Sequence, residues 1–490
     1  MNTILFALLL GFPVIGTILC GLLHKRRVLE RVSTICSGLT FLSAFWLIWK
    51  VVQETNISSP DGWWYADGLS AYIAVIVSGS AFIVTLYSVG YLRRQIRQRK
   101  VGGPKVWQYY FLLNAFLFTM MFVLLSNNLG FLWIGAEATT LATAFLVAFY
   151  ERESSIEAAW KYVIICSVGI ALALFGIILT YFSALHVIPA PDNALNWSSL
   201  MLVAKELDPA VLKLALIFVL VGFGTKAGLA PMHTWKPDAY GEAPAPISAL
   251  MAAGLVNVAL YAIMRFYILV NKAVDGGFAS TLFIIFGLVS MGVAVPFVFL
   301  QKDFKKLLAY SSVEHVGIIV FAIGLGTPLS FFAALLHLLN NAVGKTLLFL
   351  TAGNIRMAYR TKLMGRVTGA IKVMPVSSTF LILGVFAITG WPPFGVFVSE
   401  LTIISAGFAS DTPVPSLIFI LFLATIFVGF INSTARMIFG VPRTAVKGHE
   451  ADPFSLVLLG LLLAALLLLG VFMPSSLQLC IQNAVTVLCG

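Results

Sequence analysis

The sequence predicts an all-α polytopic membrane protein of about fourteen transmembrane helices. It also predicts two inverted five-helix repeats, with the seventh and twelfth helices broken. Three observations carry this. Hydrophobic residues make up 60% of the 490 and charged residues only 10%, whereas a soluble domain carries roughly 25% charged. Lysine and arginine recur in every second loop. Two apolar runs, five spans apart, are interrupted by glycine and proline beside an ionisable residue.

Apolar runs of about 20 residues are long enough to span a bilayer. They cover 3–23, 32–53, 69–92, 107–126, 129–149, 158–184, 210–230, 247–270, 279–300, 307–326, 329–352, 373–405, 415–440 and 454–473. These divide the chain into three N-terminal helices (1–106), a first repeat (107–270), a second repeat (271–440) and a C-terminal helix (441–490), with the chain ending soon after the last span. No positive stretch precedes the first run, and Lys25, Arg26 and Arg27 follow it. That order is the reverse of a signal peptide and fits a first span with its N-terminus outside.

Of 31 basic residues, 24 fall in segments on one side of this arrangement. They are Lys25, Arg26, Arg27 and Arg31; six between Arg93 and Lys105; Arg152 and Lys161; Lys236; Lys302, Lys305 and Lys306; five between Arg356 and Lys372; and Arg436, Arg443 and Lys447. The positive-inside rule makes that side cytoplasmic and puts both termini outside; the expected location is a bacterial or archaeal plasma membrane. The net charge of +11 is then topology plus contact with anionic lipid or a cytoplasmic partner, and nucleic acid is not needed to explain it.

Five cysteines (Cys20, Cys36, Cys166, Cys480 and Cys489) have no metal or redox spacing. There is no P-loop, no GxGxxG entering a helix and no HExxH. The reading is a subunit with no cofactor and no metal of its own.

The stretch Phe223 to Arg265 organises the rest. Lys226 sits in an apolar run broken by Gly222, Gly224, Gly228 and Pro231 and followed by a polar, proline-rich turn. A lysine beside a broken helix at membrane depth is tolerated where the backbone lines a cavity. The second break, Thr389 to Gly395, has Glu400 beyond it.

Within the spans the ionisable residues are few: Glu137, Lys226, Glu314, His315, His337, Lys345 and Glu400, with Lys161 near the start of the sixth. Glu137 is expected to pair with Lys226. His337, Asn341 and Lys345 lie at i, i+4 and i+8, one polar stripe of about 12 Å, as a water-wired proton path requires. Glu314 and His315 are adjacent and so face different directions; one is expected to face the path while the other packs. His233 is expected to position its turn, and Arg265, near the outer end of the eighth span, to snorkel.

At these residues the chain resembles a known family. GTKAGLAPMHTWKPDAYGEAPAPISAL looks like the signature of the antiporter-like subunits of respiratory complex I and of multi-subunit cation/proton antiporters. LLAYSSVEHVGIIVF and LLHLLNNAVGKTLLFLTAGNI match later blocks. The stretch from WIGAEATTLATAF to IICSVGIALALFG is similar to the hydrogenase-4 component F branch, of membrane-bound hydrogenase and formate hydrogenlyase complexes. The resemblance implies proton translocation along a mid-membrane axis through Glu137, Lys226, His337, Lys345 and Glu400. Where family members often carry a His or Lys in the eighth helix, this chain has Ala252 and Asn257, and Asn341 replaces a second histidine. Asparagine carries no proton, so water must bridge both places.

The expected function is a proton-translocating subunit of a redox-driven complex. Other membrane and peripheral subunits of a hydrogenase or complex I-like assembly would be its partners. The alternatives are a subunit of a cation/proton antiporter or inorganic-carbon uptake system, and a scaffold that conducts nothing.

Overall fold

The computed structural model describes residues 2–274, 276–410, 412–442 and 450–490; Arg443, Lys447 and His449 lie outside them. Among the described residues, thirteen helices are long and apolar enough to cross a membrane. Numbered with the divided one, the spans are Asn2–Leu22, Arg26–Glu54, Gly68–Arg97, Gly103–Leu125, Leu129–Val147, Glu153–Ala184, Pro209–Ala227, Ala245–Ala273, Phe278–Leu300, Phe304–Gly324, Pro328–Tyr359, the divided twelfth (Pro375–Ile388 and Gly395–Ala409), Pro413–Ile438 and Pro453–Val471.

Many spans start where the sequence supplies a cap. Asp67 accepts from Leu69 N and Ser70 N, Asn128 from Gly130 N, Asp208 from Ala210 N, Asp303 from Lys305 N and Asp452 from Ser455 N. Pro209, Pro328 and Pro453 occupy the first helical position after such caps, where no amide hydrogen is needed.

Charge sorts onto two faces. Arg93 pairs with Glu30 (2.6 Å), Arg94 with Asp452 (3.3 Å), Lys105 with Glu151 (3.0 Å), Lys306 with Asp238 (2.6 Å) and Lys362 with Glu242 (2.6 Å). These pairs gather the basic segments on one face, as the alternation of loops predicts. Burial would raise the Glu242 carboxyl, but Lys362 beside it holds it below the usual carboxylate range. The opposite face carries a small hairpin, Asn56–Ser58 paired with Tyr65–Asp67, and the loop holding the short helix Trp197–Leu202.

Three features depart from the sequence reading on this opposite face and in the basic tally. The chain does not stop after the fourteenth span: a helix Ser475–Cys489 follows, burying Ile481, Ala484, Val485 and Leu488 against the third and eleventh spans. Arg265 does not snorkel. It is 2% exposed, and its guanidinium holds both oxygens of Asp67 at 2.6 and 2.8 Å while stacking on Trp197 at 4.7 Å. Lys236 and Lys305, counted with the basic loops, are both fully buried. Lys305 donates to Ala243 O at 2.6 Å, satisfying the end of the short helix Trp235–Glu242.

Both breaks occur where expected, but the first is more local. Gly222 and Gly224 are helical, and Gly222 is there for close packing: a Cβ would sit 2.5 Å from Ala173 N on the sixth span. The helix ends only at Gly228, which takes φ +80° as its cap. At the second break Gly390 takes φ +70°. In both places the left-handed conformation that favours glycine turns the chain out of the helix. The eighth and tenth spans are enclosed on all sides, while the first, ninth and thirteenth present apolar side chains outward.

Candidate functional site

The residues nominated from sequence fall largely into one buried row between the two breaks. At its first end the fifth span carries Glu137 and, one turn on, Thr140. The seventh span brings Lys226 to the last turn before Gly228. Lys226 Nζ donates to Thr140 Oγ1 at 2.5 Å and to the Ala136 carbonyl. Glu137 accepts from Ser167 Oγ at 3.0 Å and from Thr140 Oγ1 at 3.5 Å. The expected Lys226–Glu137 ion pair is therefore not direct: among the described residues no carboxylate lies within 4 Å of Lys226, and a threonine hydroxyl stands between them.

The second half repeats this chemistry. Lys345 on the eleventh span donates to Ser311 Oγ at 2.6 Å. Glu314 lies one turn beyond Ser311 on the tenth span, near enough to Lys345 to interact with its charge. Each half thus holds a lysine bonded to a hydroxyl that lies one turn from a glutamate, at i+3 in the first and i−3 in the second. Those offsets put hydroxyl and carboxylate on one helix face.

His315 lies against the same axis rather than packing away from it. Its Nδ1 is 2.8 Å from His337 Nε2, and His337 Nδ1 is 2.9 Å from Ser399 Oγ. The expected division of labour between Glu314 and His315 is not found: both are buried and both face the row. Ser399 precedes Glu400, whose carboxylate lies over Gly390 at the second break. The chain of contacts His315–His337–Ser399 therefore leads from the tenth span to the twelfth.

Lys161 does not join the row. Its position in the third turn of the sixth span leaves it at the basic face, half exposed, in pairs with Glu157 (2.6 Å) and Asp238 (3.5 Å). His233 packs edge-on to Tyr310, ring centroids 6.2 Å apart, and ties its turn to the tenth span. Asn257 donates to Ala253 O at 2.8 Å just after a π-helical turn, Met251–Leu255, that interrupts the eighth span; such turns gather at functional sites.

Lys236 is the residue that sequence reasoning missed. It was assigned to a cytoplasmic loop, but the short helix Trp235–Glu242 folds back and carries it into the row. Its Nζ donates to Ala227 O at 2.7 Å and to Ser312 O at 3.3 Å. The one available signal was its isolation: no other basic residue accompanies it in that segment, unlike the clustered topogenic lysines and arginines. The bridging hydroxyls Thr140, Ser311 and Ser399 were likewise not nominated.

Several polar atoms along the row have no protein partner: both amide atoms of Asn340 and Asn341, Asn257 Oδ1, His315 Nε2 and Ser312 Oγ. Buried polar atoms of this kind are as a rule matched by water. The arrangement has the composition of a proton path, with titratable groups separated by hydroxyls and amides. Among the described residues no cluster of His, Cys, Asp and Glu is suited to hold a metal ion.

A family model described as NADH:quinone oxidoreductase/Mrp antiporter, TM, matches residues 126–428. The chain belongs to this family. That matched range holds both breaks and every member of the buried row. A hydrogenase-4 component F homolog of Methylacidiphilum infernorum is 37% identical over 432 residues, covering 88% of this chain and 89% of that protein. Hydrogenase-4 component B of Escherichia coli is 29% identical over 348 residues, 68% of this chain but only 49% of that longer protein. Among solved structures, a subunit of the membrane-bound sulfane sulfur reductase, an archaeal respiratory membrane complex, superposes with a TM-score of 0.87 at 24% identity, covering 100% of this chain and 98% of that one. The polytopic fold is therefore shared with that subunit.

Proposed function

We propose that this chain is a proton-translocating membrane subunit of a redox-driven complex of the hydrogenase or complex I type, with its electron-transfer centres in partner subunits. The observation that carries this is the row itself: Lys226, Lys236, Lys345, His315, His337, Glu314 and Glu400 are buried and Glu137 is half-buried, all within the range that the family model matches. Intramembrane ionisable groups are rare and mark ion or proton pathways. Each Lys–hydroxyl–Glu unit can pass a proton by rotation of the hydroxyl, without separating two charges across an apolar gap.

In this reading the basic face meets the cytoplasm, both termini lie on the other side, and the partners are other membrane and peripheral subunits. The two inverted five-helix repeats, helices four to eight and nine to thirteen, place Glu137 and Glu314 at corresponding positions. Glu400 then takes the place of Lys226 as the ionisable residue at its break.

The hydrogenase-4 relatives favour a redox complex over an antiporter. The three buried lysines also favour protons over sodium, because an amine takes up and releases a proton, whereas a protonated lysine offers no acceptor to a sodium ion. The test is the assembled complex in sealed vesicles, with proton uptake and electron transfer recorded together. Electron transfer without proton movement, or with sodium movement in its place, would refute the proposal.

A further inference from the structure

Lys236 joins the two halves of the row. Its two hydrogen-bond acceptors are Ala227 O and Ser312 O. Ala227 follows Lys226 in the chain, and Ser312 follows Ser311, the partner of Lys345. Lys236 therefore reaches, on one side, the end of the seventh span next to Lys226. On the other it reaches the tenth span next to the Lys345 unit. No other ionisable side chain among the described residues bonds to both elements.

The surroundings are built for it. Lys236 is fully buried, and a Cβ on Gly228 would meet its Cδ at 2.6 Å, so the break leaves the space that its stem fills. The Tyr240 ring lies 5.8 Å from Nζ. No carboxylate lies within 4 Å of it among the described residues. A buried ammonium ion held only by neutral groups is poor design for stability. As a clamp alone, an apolar side chain with the carbonyls bonded elsewhere would serve as well.

Two carbonyls suit both protonation states. An ammonium donates to both and has a third hydrogen to spare. A neutral amine still has two N–H donors for the same carbonyls and leaves a lone pair free. Loss or gain of one proton therefore breaks no hydrogen bond. Ser312 Oγ, Tyr240 OH and His315 Nε2, all buried and without protein partners, supply polar surface through which water can connect Nζ to the next group.

Resting on the proton-translocation reading above, we infer that Lys236 is the proton-carrying residue that connects the two halves of the axis. Neutral Lys236 takes a proton from the Lys226 side, becoming an ammonium, and releases it toward Lys345, returning to the amine. Lys226 loses and Lys345 gains the one proton transferred, and the reverse direction uses the same groups.

The experiment compares the parent complex, Lys236→Arg, Lys236→Met and Lys226→Arg in sealed vesicles, reading protons moved per electron transferred, with assembly scored by co-purification of partner subunits. Arginine can satisfy both carbonyls but keeps its proton, so Lys236→Arg is expected to assemble, transfer electrons and lower the ratio about tenfold. Lys236→Met, which keeps the stem, is expected to do the same, and either variant that assembles decides the matter. A parent-like ratio in an assembled Lys236 variant would overturn the inference. So would failure of both to assemble, which would mark Lys236 as a structural clamp. If the parent itself moves no protons, the functional reading fails. If the parent pumps and Lys226→Arg does not, while the Lys236 variants pump normally, only the role given to Lys236 fails.

Discussion

Lys226 and Glu137 meet through the hydroxyl of Thr140, which accepts from the lysine at 2.5 Å and donates to the carboxylate at 3.5 Å. Lys345 likewise donates to the hydroxyl of Ser311, which lies one turn from Glu314. A direct pair would hold the proton on lysine by Coulomb attraction. A hydroxyl between the two charges leaves room for the proton to move and makes the hydroxyl itself a testable part.

Thr140→Val should therefore separate bridging from packing. The loss of the hydroxyl should destabilise by only about 1–2 kcal/mol, yet slow proton movement per electron several-fold. Thr140→Ser should recover most of it. The measurements are thermal unfolding of the purified complex and the proton-to-electron ratio in vesicles. Equal ratios in the valine and serine variants would remove Thr140 from the path.

Lys226→Arg should insert and assemble but fail to translocate protons. Arginine keeps a positive charge and five donors for Thr140 and Ala136 O, so a structural lysine would tolerate it. Arginine stays protonated in proteins, whereas a buried lysine readily changes state. Pumping at the parental ratio in this variant would show that the path avoids residue 226.

Arg265→Met should behave in the opposite way. It leaves Asp67 buried without its cation, which should destabilise by about 3–5 kcal/mol. The clamp between the third and eighth spans lies at the face opposite the basic segments, away from the row. Yield and thermal stability should fall, while complexes that survive should keep the parental proton-to-electron ratio. A selective loss of pumping in stable complexes would mean that Arg265 takes part in conduction.

Topology gives a prediction that needs no activity. Reporters placed in 93–106 and in 353–372 should read as cytoplasmic, and reporters at both termini as external, because lysine and arginine gather in those two segments. A cytoplasmic C-terminal reporter would reverse the parity of the span count.

The amino-acid sequence by itself determined the fourteen spans, the two breaks and most members of the row. The reason is that a bilayer makes charge, glycine and proline expensive inside a span, so the few that remain there stand out without any knowledge of neighbours. Glu137, Lys226, Glu314, His315, His337, Lys345 and Glu400 were legible on that ground alone. Only the tertiary structure decided which spans touch. It replaced the expected Lys226–Glu137 pair by a shared hydroxyl and turned His315 onto His337. It joined Arg265 to Asp67 across 198 positions and moved Lys161 out to the basic face. It also carried Lys236 from an apparent loop into the centre. A lysine in a short helix between spans carries the same local signal whether it faces lipid headgroups or folds back. The choice rests with the space left by Gly228 and the carbonyls of Ala227 and Ser312, contacts that exist only once the seventh and tenth spans pack together.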